Sequence, residues 1–319
     1  MTVQGPNTPD CAIRITPPAE EGYGRIPMKR VLTLRHLYAF ALCAGLLGSL
    51  VAAESVPPWM TLPAMPELPP PATTGYTGVD TARIWWGRYN PSAAGIPVLL
   101  LHGGLGCSNY FAHLIPALVA DGRGVITIDS RGHGRSSIGR GPLGYALMAS
   151  DVLAVIDQLQ VPKVDLVGWS DGGIIGLELA ITHPERIGRL FAFGANANPS
   201  GLRPGSENSP VFRVYLERAE RDYAHVAATP EAFAALRDQV LHMWSTEPHL
   251  ARAQLHSISA PTTIADGQYE ESILPEHVFF MARSIADANM MILPRVSHFA
   301  MLQVPDTFND SVLYFLRHR

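Results

Sequence analysis

A serine in a tight glycine turn, a histidine after a late apolar run and a group of acids between them could together carry out acyl transfer. The stretch LVGWSDGGIIGLELA, residues 166–180, places Ser170 among glycines where an apolar run meets a helix-forming run. A turn of this kind lifts the hydroxyl off the strand end, and glycine neighbours let helix and strand approach closely. The first N–H groups of the helix then point at the same spot and can receive an oxyanion. The hydroxyl is inert without a base. His298, in RVSHFAML after the run NMMILP, is the candidate base. It needs a carboxylate to hold its tautomer and stabilise the imidazolium. The stretch after TTIADG offers Asp266, Glu270 and Glu271, whereas the run RLFAFGAN ends in Gly194, Ala195 and Asn196 with no acid. The bland alternatives are a turn hydroxyl, a surface histidine and solvated loop charges.

The elements that would position these residues alternate along the chain. ARIWWGRY, IPVLLLHGG, GVITIDS, KVDLVGWS, RLFAFGAN, APTTIADG and NMMILP read as strands. Between them, FAHLIPALVADG, ALMASDVLAVIDQL, GIIGLELAITH and PEHVFFMARSIA carry helical spacing, and a last helix is expected from about Met301 to Leu316. Short, continuously apolar runs alternating with helices imply one α/β domain with a mostly parallel, fully buried sheet. The alternation breaks over 199–257, where VFRVYLERAERDYAHV and PEAFAALRDQVLHMW are helical and no strand signal appears. Such an insertion reads as a helical lid over the carboxyl edge of the strands, where ligands bind in open α/β sheets. Phe212, Tyr215, Tyr223, Phe233, Met243 and Trp244 could line an acyl pocket there, or pack the lid onto the body.

With serine, acid and histidine in that order, the chain resembles the α/β-hydrolase fold family, in its serine hydrolase branch, over residues 76–319. The resemblance implies a helix-flanked, mostly parallel sheet with a small lid. By match to the family's Gly-Asp-x-Asp loop, Gly267-Gln268-Tyr269-Glu270 places the triad acid at Glu270, with Asp266 and Glu271 as alternatives. The family's His-Gly loop matches LLLHGGLGCS, which implies oxyanion donors at the backbone of Gly104 and Asp171 and a structural role for His102. GWSDGG is similar to the elbow of valacyclovir-hydrolase-like esterases, and DSRGHGRSS to a loop common across the family. The elbow raises the idea that Asp171 attracts a substrate amine; the alternative is that it complements the positive end of its own helix.

The expected activity is hydrolysis of small-molecule carboxylic esters through an acyl-enzyme. Lactonase, small-peptide aminopeptidase and C–C bond hydrolase are alternatives with the same triad, and a non-catalytic ligand-binding protein is the alternative from another class. Serine at the elbow argues against dehalogenase and epoxide hydrolase relatives, which use aspartate. No cofactor or metal is expected. Gly104-Leu105-Gly106 opens like a dinucleotide fingerprint but Asn109 stands where its third glycine belongs, no phosphate-binding G-x-x-x-x-G-K occurs, and H-E-x-x-H and paired C-x-x-C motifs are missing. A net charge of −4 without basic blocks argues against nucleic acid. Oligomeric state is not legible.

Residues 1–53 read as a leader. Lys29, Arg30 and Arg35 precede the uncharged run 37–53, and Val51 and Ala53 suit a signal-peptidase site before Glu54. A signal peptide over 28–53, starting naturally at Met28, implies a periplasmic or secreted protein. The run is about the minimum length for a bilayer span, so an uncleaved anchor is the alternative, and a membrane is a partner only in that case. Of the three cysteines, Cys11 and Cys43 lie in the leader, leaving Cys107, read as a buried inert thiol, with no partner for a disulfide. Residues 54–75, rich in proline, read as a linker.

Overall fold

Val98–Leu101 reads VLLL and all four residues are buried, as a strand covered on both faces requires. The same holds for Val125–Ile128 and Val164–Trp169. The computed structural model describes residues 56–318. The leader expected over 1–53 lies outside them; among the described residues no helix is long and apolar enough to cross a membrane.

Among the described residues eight strands form one sheet: β1 (Thr73–Val79), β2 (Ala82–Tyr89), β3 (Val98–Leu101), β4 (Val125–Ile128), β5 (Val164–Trp169), β6 (Ile187–Phe193), β7 (Thr262–Gly267) and β8 (Ala288–Leu293). Their spatial order is β1-β2-β4-β3-β5-β6-β7-β8. The β1–β2 and β2–β4 pairings are antiparallel, and every pairing from β4 to β8 is parallel. The helices are α1 (Leu114–Ala120), α2 (Tyr145–Gln158), α3 (Asp171–Thr182), α4 (Pro210–Val226), α5 (Phe233–Thr246), α6 (Arg252–His256), α7 (Pro275–Ser284), α8 (Ala300–Gln303) and α9 (Pro305–His318). Between β6 and β7 the chain leaves the sheet through α4, α5 and the short α6, which is the expected insertion. The α/β-hydrolase architecture inferred from the sequence is the one observed.

Two expectations need correction. The last helix is not continuous over 301–316. Pro305 begins α9, and Val304 before it has φ −141° and ψ 74°, outside the helical region, because a residue preceding proline is pushed from it.

The Pro-rich stretch over 54–75 is not a free linker, and the folded unit begins well before Tyr76. Its end enters the sheet as β1, and residues 56–72 lie docked on the body. Leu62, Met65 and Leu68 pack against the core. Tyr89 Oη donates to Pro69 O at 2.8 Å, and Asn109 Nδ2 to Pro66 O at 3.0 Å. Polyproline-like backbone makes no internal hydrogen bonds, so its carbonyls are free to accept from elsewhere.

Candidate active site

Ser170 sits between β5 and α3 with φ 53° and ψ −119°, a region a non-glycine residue rarely occupies. The surroundings hold it there. Its N–H donates to Phe193 O at 2.8 Å, and its carbonyl accepts from Gly173 N at 2.8 Å and Ile174 N at 3.1 Å. A Cβ on Gly168 would strike the Gly172 carbonyl, and one on Gly172 would strike that of Leu101. Both glycines are therefore required for α3 to start this close to the sheet.

His298 is buried, on the loop between β8 and α8. Its Nδ1 lies 2.9 and 3.0 Å from the two carboxylate oxygens of Glu270. Donation from Nδ1–H to that carboxylate leaves Nε2 as the basic nitrogen. Gly194, at φ 63°, makes room for the ring, since a Cβ there would come within 2.8 Å of it.

The three acids offered by the sequence take different places. Glu270 meets the imidazole and also accepts from Ser272 N at 2.7 Å. Glu271 meets the histidine's backbone instead, accepting from His298 N at 3.1 Å and Ser297 Oγ at 3.3 Å. Asp266, at the end of β7, is buried beside Glu270 and accepts from Gly267 N at 2.9 Å. The electrostatics follow. Burial pushes Glu270 up, but His298, with hydrogen bonds from Asp266 and Ser272 N, outweighs it and holds the carboxyl at about 2. Burial, then the Glu270 charge, raise Asp266 well above its ordinary value and Glu271 to about 7. Burial lowers His298, yet Glu270, Glu271 and Asp171 together carry it above its ordinary value.

The Gly103–Gly104 peptide is pinned by its carbonyl, which accepts from Gly106 N at 3.0 Å and lies 2.8 Å from His102 Nδ1. A trans peptide then directs the Gly104 N–H the opposite way. His102 Nε2 accepts from Ser130 N at 2.9 Å, so both ring nitrogens serve the loop, the structural role expected of it. Asp171 is the first residue of α3, so its N–H has no partner inside the helix. Cys107 is buried, and burial pushes its thiol up.

Ser170, His298, Gly104 and Asp171 line one cavity of about 310 Å³. Phe212, Tyr215 and Trp244 line it as well, whereas Tyr223, Phe233 and Met243 pack into the core away from it. Among the described residues, three carboxylates face the cavity, from Asp171, Glu207 and Glu247, and no lysine or arginine does. Asp171 accepts from Tyr145 Oη at 3.0 Å and Trp244 Nε1 at 2.9 Å. Burial raises it to about 6 against the pull of those bonds. Tyr145, Glu207 and Glu247 escaped sequence reasoning, and no local pattern marks them; Asn196, read only as a strand end without an acid, lines the cavity too. Among the described residues no group of three or more His, Cys, Asp or Glu is placed to hold a metal ion.

A family model described as alpha/beta hydrolase fold matches residues 96–254. The chain is 30% identical over 249 residues to a Rhizobium rhizogenes protein named as a carbamate hydrolase, RutD, covering 69% of this chain and 93% of that one. It is 29% identical over 235 residues to the mouse serine hydrolase BPHL, covering 69% and 79%. Among solved structures, the enol-lactonase from Burkholderia xenovorans aligns with a TM-score of 0.60 at 23% identity, over 76% of this chain and all of that one.

Proposed function

The chain belongs to the alpha/beta-hydrolase fold family, and from that premise we propose that this hydrolase is an exported serine esterase acting on small carboxylic esters. One observation carries the reading. Ser170, strained at the elbow, faces the same cavity as a buried His298 whose Nδ1 is held by Glu270. His298 Nε2 takes the Ser170 proton as Oγ attacks the ester carbonyl. The Gly104 and Asp171 N–H groups receive the oxyanion. Collapse expels the alcohol, which takes the proton from His298. Water, deprotonated by the same imidazole, then releases the acid.

The cavity wall narrows the substrate. Three carboxylates, with no lysine or arginine among the described lining residues, disfavour an anionic ester, because its charge would be desolvated beside like charges. The favoured substrate is uncharged or carries an amine. The latter rests on Asp171, a buried carboxylate bonded to Tyr145 and Trp244 at the cavity wall. Export rests on the leader over 28–53.

Fluorophosphonate labelling of the chain from Glu54 onward, read by intact mass, tests the chemistry. One adduct is expected, lost in Ser170→Ala and much slower in Glu270→Gln. A folded parent without an adduct would turn the reading to a ligand-binding protein. An ester panel tests the charge argument: amino-acid esters and their uncharged analogues should turn over, and dicarboxylate half-esters should not. Equal turnover of an amino-acid ester and its uncharged analogue would remove the amine role of Asp171.

A further inference from the structure

The Pro-rich segment touches four separate parts of the catalytic apparatus. At the lid, Arg218 of α4 donates to Leu62 O at 3.2 Å and Pro63 O at 2.6 Å, and Glu67 pairs with His225 at 2.8 Å. The same helix carries Tyr215, whose hydroxyl donates to Gly104 O at 2.6 Å. At the oxyanion loop, Asn109 donates to Pro66 O and accepts from Arg135 at 2.8 Å. Arg135 is in turn paired with Asp129, the carboxylate that takes the Ser108 N–H at 2.8 Å. At the acid loop, Trp59 stacks on Tyr269, the neighbour of Glu270, with ring centroids 4.1 Å apart and planes 8° from parallel. At the histidine loop, Gln303 donates to Thr61 O at 2.9 Å while accepting from Ser297 N at 2.7 Å, next to His298.

We infer that residues 57–69 are a positioning strap for the active site, joining lid, oxyanion loop, acid loop and histidine loop into one register. A segment serving only as a spacer has no need of polar contacts to three of these parts and an aromatic stack on the fourth. Proline suits the task because its fixed φ lowers the entropy lost on docking. Loosening the strap should displace several catalytic groups at once, and misplacement by about 1 Å costs on the order of a hundredfold in rate.

The inference rests on the serine esterase reading for its rate measurement and on backbone protection independently of it. A protease site placed between Ala72 and Thr73 lets the full chain fold with the strap docked before it is cut and the strap removed. The strap-free protein should keep its far-ultraviolet circular dichroism yet label at Ser170 at least about tenfold more slowly. Hydrogen exchange should quicken in Pro210–Val226 and in 267–272, and a synthetic peptide of residues 56–72 should restore both. Trp59→Ala in the uncut chain covers the case in which a cut strap stays bound. It should lower kcat, leave KM in place and quicken exchange at 267–272. Unchanged labelling and exchange in the strap-free protein would overturn the inference, as would a Trp59→Ala variant that loses melting temperature but no kcat. If the uncut parent fails to label, the esterase reading falls and the exchange results alone decide the strap.

Discussion

Glu270 reaches His298 from the loop after β7, and its reach is testable. Glu270→Asp withdraws the carboxylate by about 1.5 Å, beyond hydrogen-bond range of Nδ1. Glu270→Gln keeps the reach but allows the imidazole to flip its tautomer, which cost about 10⁴ in kcat in a serine protease. Both variants should therefore label slowly. A Glu270→Gln variant as fast as the parent would mean that another carboxylate orients the ring. The pH profile makes a second prediction. His298 is held above its ordinary 6.5, so the free base forms only above that value and kcat/KM should climb with pH through it. Glu271→Gln removes one of the negative charges that raise it, so the climb should shift to lower pH. An unshifted profile would remove Glu271 from the electrostatics of the base. Ser170 and His298 were legible because each stands at a strand end in a pattern few other residues share. The acid was not legible from its own residue pattern, since three carboxylates fall within six residues; the match to the family's loop is what selected Glu270, the one that meets the ring. Tyr145 and Glu247 were invisible for another reason: Tyr145 meets Asp171 and Glu247 meets the Tyr145 N–H across 26 and 102 residues. Contacts at such separations leave no periodic trace.

The sharp turn from β5 into α3 depends on glycine for space rather than for flexibility. Gly172→Ala would drive a methyl group into the Leu101 carbonyl, so α3 must lift from the sheet. Overpacking of this kind costs about 1–3 kcal/mol, and more against rigid backbone. A lowered melting temperature together with lost Ser170 labelling is expected. The lid helix contributes through one bond: Tyr215→Phe releases the Gly104 carbonyl that fixes the oxyanion loop. Loss of a single hydrogen bond is worth about 0.5–1.5 kcal/mol, so kcat should fall by roughly threefold to tenfold with the fold intact. Unchanged kcat would show that the His102 and Gly106 contacts fix the loop by themselves. The buried strands were legible at this scale because full burial writes an unbroken apolar run. β1 was not: TTGYTGV pairs only at the edge of the sheet, is mostly exposed and carries no such run. The Pro-rich stretch misled because proline content excludes helix and central strand but says nothing about docking.

For the molecule as a whole, the charges that prepare the site act against the fold. Asp171 at about 6, Glu271 at about 7 and Asp266 well above its ordinary value are all raised, first of all by burial. Between its unfolded and folded values, a raised carboxyl holds more protons in the native state than in the unfolded chain. Stability therefore falls as pH rises through that window. His298 acts in the same sense: its raised value stabilises fully below 6.5, and the contribution is lost as pH climbs through the folded value. Glu270 is the exception, being lowered to about 2, but its stabilisation is complete above 4.5 and is lost only in acid. From about pH 4 to about pH 7 the raised carboxyls thus weaken the fold together, and His298 adds to this above 6.5, where the base that Ser170 requires appears. The melting temperature should decline across this interval as hydrolytic activity increases. Glu271→Gln should flatten the decline and raise the melting temperature most at the alkaline end, since an amide has no charge to bury. Melting curves of parent and variant at matched ionic strength measure both slopes. A parent that grows more stable up to about pH 7 would mean that these carboxyls ionise in the folded protein as easily as in the unfolded chain, and that the buried charge is not what limits its stability.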